Sequence, residues 1–182
     1  MRKPFVVISG LPGSGKTTLG RRLAPVLNLR LIDKDDILER LFALKGVGDD
    51  AWRRTLSRES DVILQNEAVN SSGAILVSFW RLPGMPSDSG TPTDWLDARS
   101  HHAVNVHCAC EPELAARRFF ERRRHPGHLD GNLSSADVLA SLRKLTQLPR
   151  LDIGQQIEVD TSTEPNLTDV VRAIRGALEL RT

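Results

Sequence analysis

A chain of 182 residues, 40% hydrophobic and 26% charged, has the size and composition of a single globular domain with its own core. A net charge of only +2 and two cysteines, Cys108 and Cys110, in one apolar run argue against a nucleic-acid partner and a disulfide-stapled secreted scaffold. No apolar run approaches the ~20 residues of a membrane span, and the short one after Arg2 and Lys3 is no signal peptide, so a cytoplasmic protein with no membrane partner is expected.

In chain order, Phe5–Ser9 (FVVIS) reads as a buried parallel strand, apolar throughout and β-branched in part. It runs into GLPGSGKTT, which fits the phosphate-loop spelling GxxxxGK[ST] over Gly10–Thr17. A helix over Lys16–Leu27 follows, with Leu19, Leu23 and Leu27 at helical spacing. The pattern then alternates. Strands are expected at Arg30–Asp33, Ala74–Phe79, Ala103–Ala109 and Gln156–Asp160. Helices are expected at Asp36–Leu44, Ala51–Ser71, Pro92–Arg99, Pro112–Arg123, Ser135–Thr146 and Asn166–Leu180. Alternation of this kind predicts an α/β fold, three layers with a five-stranded parallel sheet between helices. Arg81–Pro92 and Arg124–Ser135 resist assignment; both are rich in Pro and Gly and fall near the carboxyl edge of the sheet, where such folds bind ligands.

The strand-loop-helix context gives the motif its chemistry. Glycines let the backbone curl until several N–H groups face one set of phosphate oxygens, and the helix N-terminus adds its positive end. Gly10, Leu11, Pro12, Gly13, Ser14, Gly15, Lys16, Thr17 and Thr18 are therefore the expected cradle of a nucleoside triphosphate, with Lys16 on the β- and γ-phosphates and the Thr17 hydroxyl on Mg²⁺. LIDKDDILERL places Asp33 at a strand end and Asp35 two residues on. Phosphoryl transfer needs one such group to support Mg²⁺ and one to receive the acceptor's proton, and these go to Asp33 and Asp35 in turn. Asp36, with Glu39 three residues later, is expected to cap the next helix.

GLPGSGKTT together with LIDKDDI resembles the P-loop small-molecule kinases of the nucleoside-monophosphate-kinase-like group, such as shikimate, gluconate and adenylylsulfate kinases, chloramphenicol phosphotransferase and zeta-toxin-like kinases. VNVHCACEPELAARRFFERR is similar to that group's fourth strand and the helix leading to its lid, and VDTSTEP to its adenine-side loop. The resemblance implies an ATP-dependent kinase, working with Mg²⁺ on a hydroxyl of a small metabolite or antibiotic. The chain would form one domain, with a lid near residues 122–135 and Arg118 and Arg122 stabilising the transferred group. The resemblance also implies an acceptor beside the third strand, where Trp80 and Arg81 stand. In one departure, Ser78 occupies the place where many relatives carry a metal-holding aspartate.

His125 and His128 belong to the lid loop, while Cys108 and Cys110 share one strand face and are expected in the core. No guanine-specifying N/T-K-x-D motif is present, and the third strand lacks the acidic pair of a mechanical ATPase. A non-catalytic ATP-binding regulator and a nucleotide or nucleoside kinase stay open as alternatives, as do a monomer and a homodimer.

Overall fold

The computed structural model describes residues 3–96 and 101–179. Strands β1 (Lys3–Gly10), β2 (Arg30–Asp33), β3 (Ala74–Val77), β4 (His101–Ala109) and β5 (Gln155–Asp160) form one parallel sheet in the order β2-β3-β1-β4-β5. Helices α1 (Lys16–Leu27), α2 (Lys34–Lys45), α3 (Asp50–Val69), α4 (Pro112–Glu121), α5 (Ser135–Leu145) and α6 (Leu167–Glu179) flank it. This is the expected three-layer α/β arrangement. From β1 the chain builds first toward β2 and β3, then crosses to β4 and β5 on the other side. The switch in direction opens a crevice at the carboxyl ends of the central strands.

β1 lies at the centre because Phe5, Val6, Val7 and Ile8 have no exposed surface on either face. Val6 and Ile8 pack with Leu19 and Leu23 of α1 and with Val170, Val171 and Ile174 of α6. Phe5 and Val7 face the other way, toward Leu64 and Ala68 of α3 and Trp80. Each such buried side chain contributes roughly 1.5–3 kcal/mol, so the two cores fix β1 and, with it, the origin of the phosphate loop.

The helix expected over Pro92–Arg99 is absent as far as it is described. Residues 92–96 form a turn closed by Leu96 N to Thr93 O at 2.9 Å, and residues 97–100 lie outside the described residues. Here the loop is claimed by the sheet edge instead, since Trp80 and Thr91 bridge and Thr91 N donates to Phe79 O at 2.8 Å. The helix expected from Asp36 starts at Lys34, because its cap is Asp33, whose Oδ1 accepts from Asp35 N at 2.9 Å. The capping assignment of Asp36 is thereby corrected: it lies in the first turn and pairs with Arg21 at 3.2 Å on the surface.

The stretch Arg124–Ser135 is ordered by two short 3-10 turns, Pro126–His128 and Asp130–Asn132. It docks on α2, with the His125 ring stacked on Phe42 (5.3 Å between centroids) and His128 edge-on to the same ring (5.6 Å). A side chain at position 127 would come within 2.6 Å of Phe42, so only glycine allows this approach.

One buried polar residue joins the layers. Asn105 of β4 accepts from Ser9 Oγ at 2.7 Å, and its Nδ2 donates to Leu151 O at 3.0 Å and Gln156 Oε1 at 2.7 Å. Asn105→Ala would open a gap in the core, leave the buried Ser9 hydroxyl with His107 alone, and remove both side-chain donations that tie β4 to Leu151 and Gln156. It is expected to lower unfolding free energy by about 2–4 kcal/mol in denaturant titration, whereas a surface change such as Arg172→Ala should move it by under ~0.5 kcal/mol.

Candidate active site

The phosphate loop takes the curled shape its glycines permit. Gly10, Gly13 and Gly15 all have positive φ, and a Cβ on Gly13 would sit 2.1 Å from the Ala115 carbonyl of α4. Lys16 Nζ donates to Gly10 O at 2.9 Å and Leu11 O at 2.8 Å, bracing the loop from within. Burial pulls the Lys16 ammonium down to about 8. Ser14 is fully buried, and its hydroxyl has no partner. An orphaned donor inside a ring of backbone N–H groups suits phosphate oxygens.

Thr17 Oγ1 donates to Asp33 Oδ2 at 2.6 Å, joining the first turn of α1 to the end of β2. Asp33 is 3% exposed and, among the described residues, has no cation paired with it. Burial pushes its carboxyl up to about 6, against the Thr17 hydrogen bond. Among the described residues no cluster of three or more His, Cys, Asp or Glu is placed to hold a metal. A hydroxyl and an uncompensated carboxylate beside a phosphate cradle fit Mg²⁺ brought in with a nucleotide, where phosphates supply the remaining oxygens.

Asp35 meets the lid. Arg124 Nη2 is 2.5 Å from Asp35 Oδ2, and Arg124 Nη1 is 2.9 Å from Asp130 Oδ2. Burial raises the Asp35 carboxyl, but Arg124, His128 and Arg122 outweigh it and hold the group below its ordinary value. Arg122 spans the Phe119 ring at 4.6 Å and reaches Asp130 only at 3.9 Å, and its buried Nε is unpartnered. Arg118, four residues earlier, turns elsewhere. It donates to Thr161 O at 2.7 Å and Ser162 O at 2.8 Å and so holds the loop between β5 and α6.

Trp80 is a core residue, 2% exposed, with Nε1 donating to Ile8 O at 2.8 Å. Arg81 Nε donates to Ser89 O at 3.0 Å, within its own loop. Beside them a cavity of about 470 Å³ is lined by Leu11 of the phosphate loop, Phe79, Trp80, His107 and Leu148. Cys108 is buried with its thiol pushed up to about 12 by burial, as a core cysteine. The sequence singles out neither Asp61, which meets Lys34 at 2.6 Å, nor Thr91, which donates to Asp61 at 2.7 Å. Both sit in stretches whose polar residues read as solvated, and only contact between distant segments reveals them.

A family model described as an AAA domain matches residues 5–73. A shikimate kinase from Corynebacterium glutamicum is 41% identical over 81 residues, covering 41% of this chain and 45% of that protein. The chain spans about half the length of the curated relatives it matches, 45%, 40% and 53% of three shikimate kinases. Among solved structures, a protein of Chloroflexus aurantiacus J-10-fl proposed to be a kinase superposes with a TM-score of 0.81 at 23% identity, covering 97% of this chain and 99% of that one. A gluconokinase from Sinorhizobium meliloti gives 0.55 at 16% identity, over 99% and 94% of the two chains. The fold is that of the P-loop kinases, and about two-fifths of the chain is similar in sequence to shikimate kinases. No helix among the described residues is long and apolar enough to cross a membrane.

Asp33 generates a stability test. Its folded pKa of about 6 lies above the ordinary 3.8, so the native state binds the extra proton between these values. Stability therefore rises as pH falls from 7 toward 4 and is lost on the way back up. Asp33→Asn keeps the cap through its one carbonyl oxygen and reverses the Thr17 bond, its amide N–H donating to Thr17 Oγ1, without a buried charge. In the absence of nucleotide and metal it should be more stable than wild type at pH 7.5, by up to about 3 kcal/mol, with the gap closing below pH ~5. Urea titrations at both pH values measure it, and equal stability at pH 7.5 would contradict a charge held at a cost.

Proposed function

We propose that the protein is an ATP-dependent kinase that moves the γ-phosphoryl group to a hydroxyl of a small molecule. The observation that carries this reading is the half-buried Asp35 carboxyl, paired with Arg124 and held below its ordinary value by Arg124, His128 and Arg122, two residues from the Asp33 that bonds Thr17 of the phosphate loop. The similarity to shikimate kinases supports it, as does the fold shared with a gluconokinase.

In this reading the loop from Gly10 to Thr18 and Lys16 hold the phosphates, and Thr17 and Asp33 hold Mg²⁺. The metal's chemistry is to neutralise charge on the β- and γ-oxygens. Asp35 leaves Arg124 for the acceptor hydroxyl, orients it, and takes its proton as the new O–P bond forms and the bond to the ADP oxygen breaks. A carboxyl below its ordinary value is a weak base, which suits a loose transition state in which the proton leaves late. Arg122, with spare donors, stabilises the equatorial oxygens. Arg118 is a positioning residue that fixes the adenine-side loop. The cavity walled by Phe79 and Trp80 receives the acceptor, and Arg81 shapes its loop.

ADP formation by the purified protein, assayed with ATP, Mg²⁺ and a panel of polyols, sugar acids, hydroxylated antibiotics and nucleosides, tests the reading. Stimulation by one class of acceptor is expected. ATP binding without acceptor-dependent turnover across the panel would instead favour a non-catalytic regulator. Lys16→Ala should abolish ATP binding in calorimetry while the fold survives. Asp35→Asn should lower kcat by roughly 10²–10⁴ with ATP affinity almost unchanged, and a loss confined to Mg²⁺ affinity would move Asp35 to the metal.

A further inference from the structure

The carboxyl ends of β2 and β3 crowd acids and cations together, and the pairing among them is selective. Lys34 stands between Asp33 and Asp35 in sequence, yet its ammonium pairs with neither. It lies 2.6 Å from Asp61 Oδ1 on α3 and donates to Thr91 Oγ1 at 3.2 Å. The Lys34 and Asp61 side chains are only 12% and 16% exposed. Thr91, 1% exposed, gives its single proton to Asp61 at 2.7 Å. Its two lone pairs then take Lys34 and Ser78 Oγ, the latter at 2.5 Å. Every hydrogen-bonding site of that hydroxyl is used, so the cluster has one arrangement. Arg124 is likewise held by Asp35 and Asp130. The acid left without a cation is Asp33, the one bonded to Thr17.

Ser78 explains why a carboxylate arrives from a helix. A strand-end aspartate at position 78 would place its charge between β1 and β2; serine there brings only a hydroxyl, and the adjacent acid is Asp61, reached through Thr91. We propose that Asp61 is a positioning residue of the phosphoryl-transfer site, holding the Lys34 ammonium away from Asp33 and Asp35 so that Asp33 stays available to a nucleotide-bound metal. This rests on the kinase reading of Thr17 and Asp33. Without Asp61 the nearest acids to a lysine at the start of α2 are those on either side of it, and an ammonium drawn to them competes directly with a divalent cation.

Mn²⁺ binding to the full chain in the presence of ADP, followed by the loss of the free-ion paramagnetic resonance signal, tests the proposal without requiring turnover. Asp61→Asn should weaken Mn²⁺ binding by about tenfold, the effect of one redirected charge at partly buried range. The double variant Asp61→Asn with Lys34→Gln should return to within about twofold of wild type, because the competitor is gone. A structural role alone predicts no such rescue, since the double variant removes more of the cluster. Unchanged Mn²⁺ affinity in folded Asp61→Asn, or a double variant as weak as the single one, overturns the proposal. Should Asp61→Asn not fold, Lys34→Gln decides: affinity at or above wild type supports it, and a fall overturns it. Wild-type protein that binds neither ADP nor Mn²⁺ would remove the kinase reading itself, an outcome distinct from a wild type that binds both while Asp61→Asn binds equally well.

Discussion

The hydrogen bond from Thr17 Oγ1 to Asp33 Oδ2, 2.6 Å long, joins the two segments on which everything else in the crevice is mounted. Thr17 belongs to the first turn of α1 and so moves with the phosphate loop. Asp33 ends β2 and, through Oδ1 and the Asp35 amide, begins α2. One carboxylate thus terminates a strand, caps a helix and faces the loop. Both of its oxygens are engaged from the protein side, but among the described residues no cation pairs with them, and burial raises its affinity for a proton. A group held in that condition costs stability and is kept where a ligand supplies the missing charge.

The same economy of charge organises the lid. Arg124 sits between Asp35 and Asp130, and His128 lies 3.0 Å from Glu39, so the loop after α4 touches α2 through polar contacts at Asp35 and Glu39 and through the Phe42 ring one turn further on. Phe42 supplies an apolar surface on which two imidazoles rest, which stabilises docking without fixing a charge. The polar contacts are of the kind that exchange partners. Were the Arg124–Asp35 pair to open, Arg124 would keep Asp130 within the loop, and His128–Glu39 and the Phe42 ring would still hold the loop on α2.

The phosphate loop, the parallel sheet and the alternation of elements were legible because each has a local signature: a fixed glycine spacing, a β-branched apolar run, an apolar period near 3.6. Asp33 could be placed at a strand end, with Asp35 two residues beyond it, for the same reason. The Asp36 cap was misread because D-x-x-E occurs by chance in acidic helix starts, and the cap was decided by Thr17, sixteen residues away, which fixes Asp33 first. The turn at 92–96 lacked a helix because the Trp80–Thr91 bridge, a contact with no local pattern, claims that loop for the sheet. Trp80 looked like a pocket wall and is mostly core, since its indole N–H finds Ile8 O inside the sheet. Asp61 had no signature at all, being one acid on a long polar helix.

Helix α4 shows how one short element braces two loops of the crevice. Its Ala115 carbonyl lies against Gly13, where no larger residue fits, so the helix and the phosphate loop share a boundary set by backbone contact. Arg118 leaves the helix toward Thr161 and Ser162, and Arg122, the residue just past its end, lies over the Phe119 ring toward Asp130. The R-x-x-x-R spacing does not align the two side chains, because the backbone turns extended at Arg122 and sends its guanidinium away from the one Arg118 commits to the loop after β5. The loop that begins at Arg122 therefore starts from a helix fixed at one end by its backbone contact with Gly13 and along its length by the Arg118 bonds to Thr161 and Ser162.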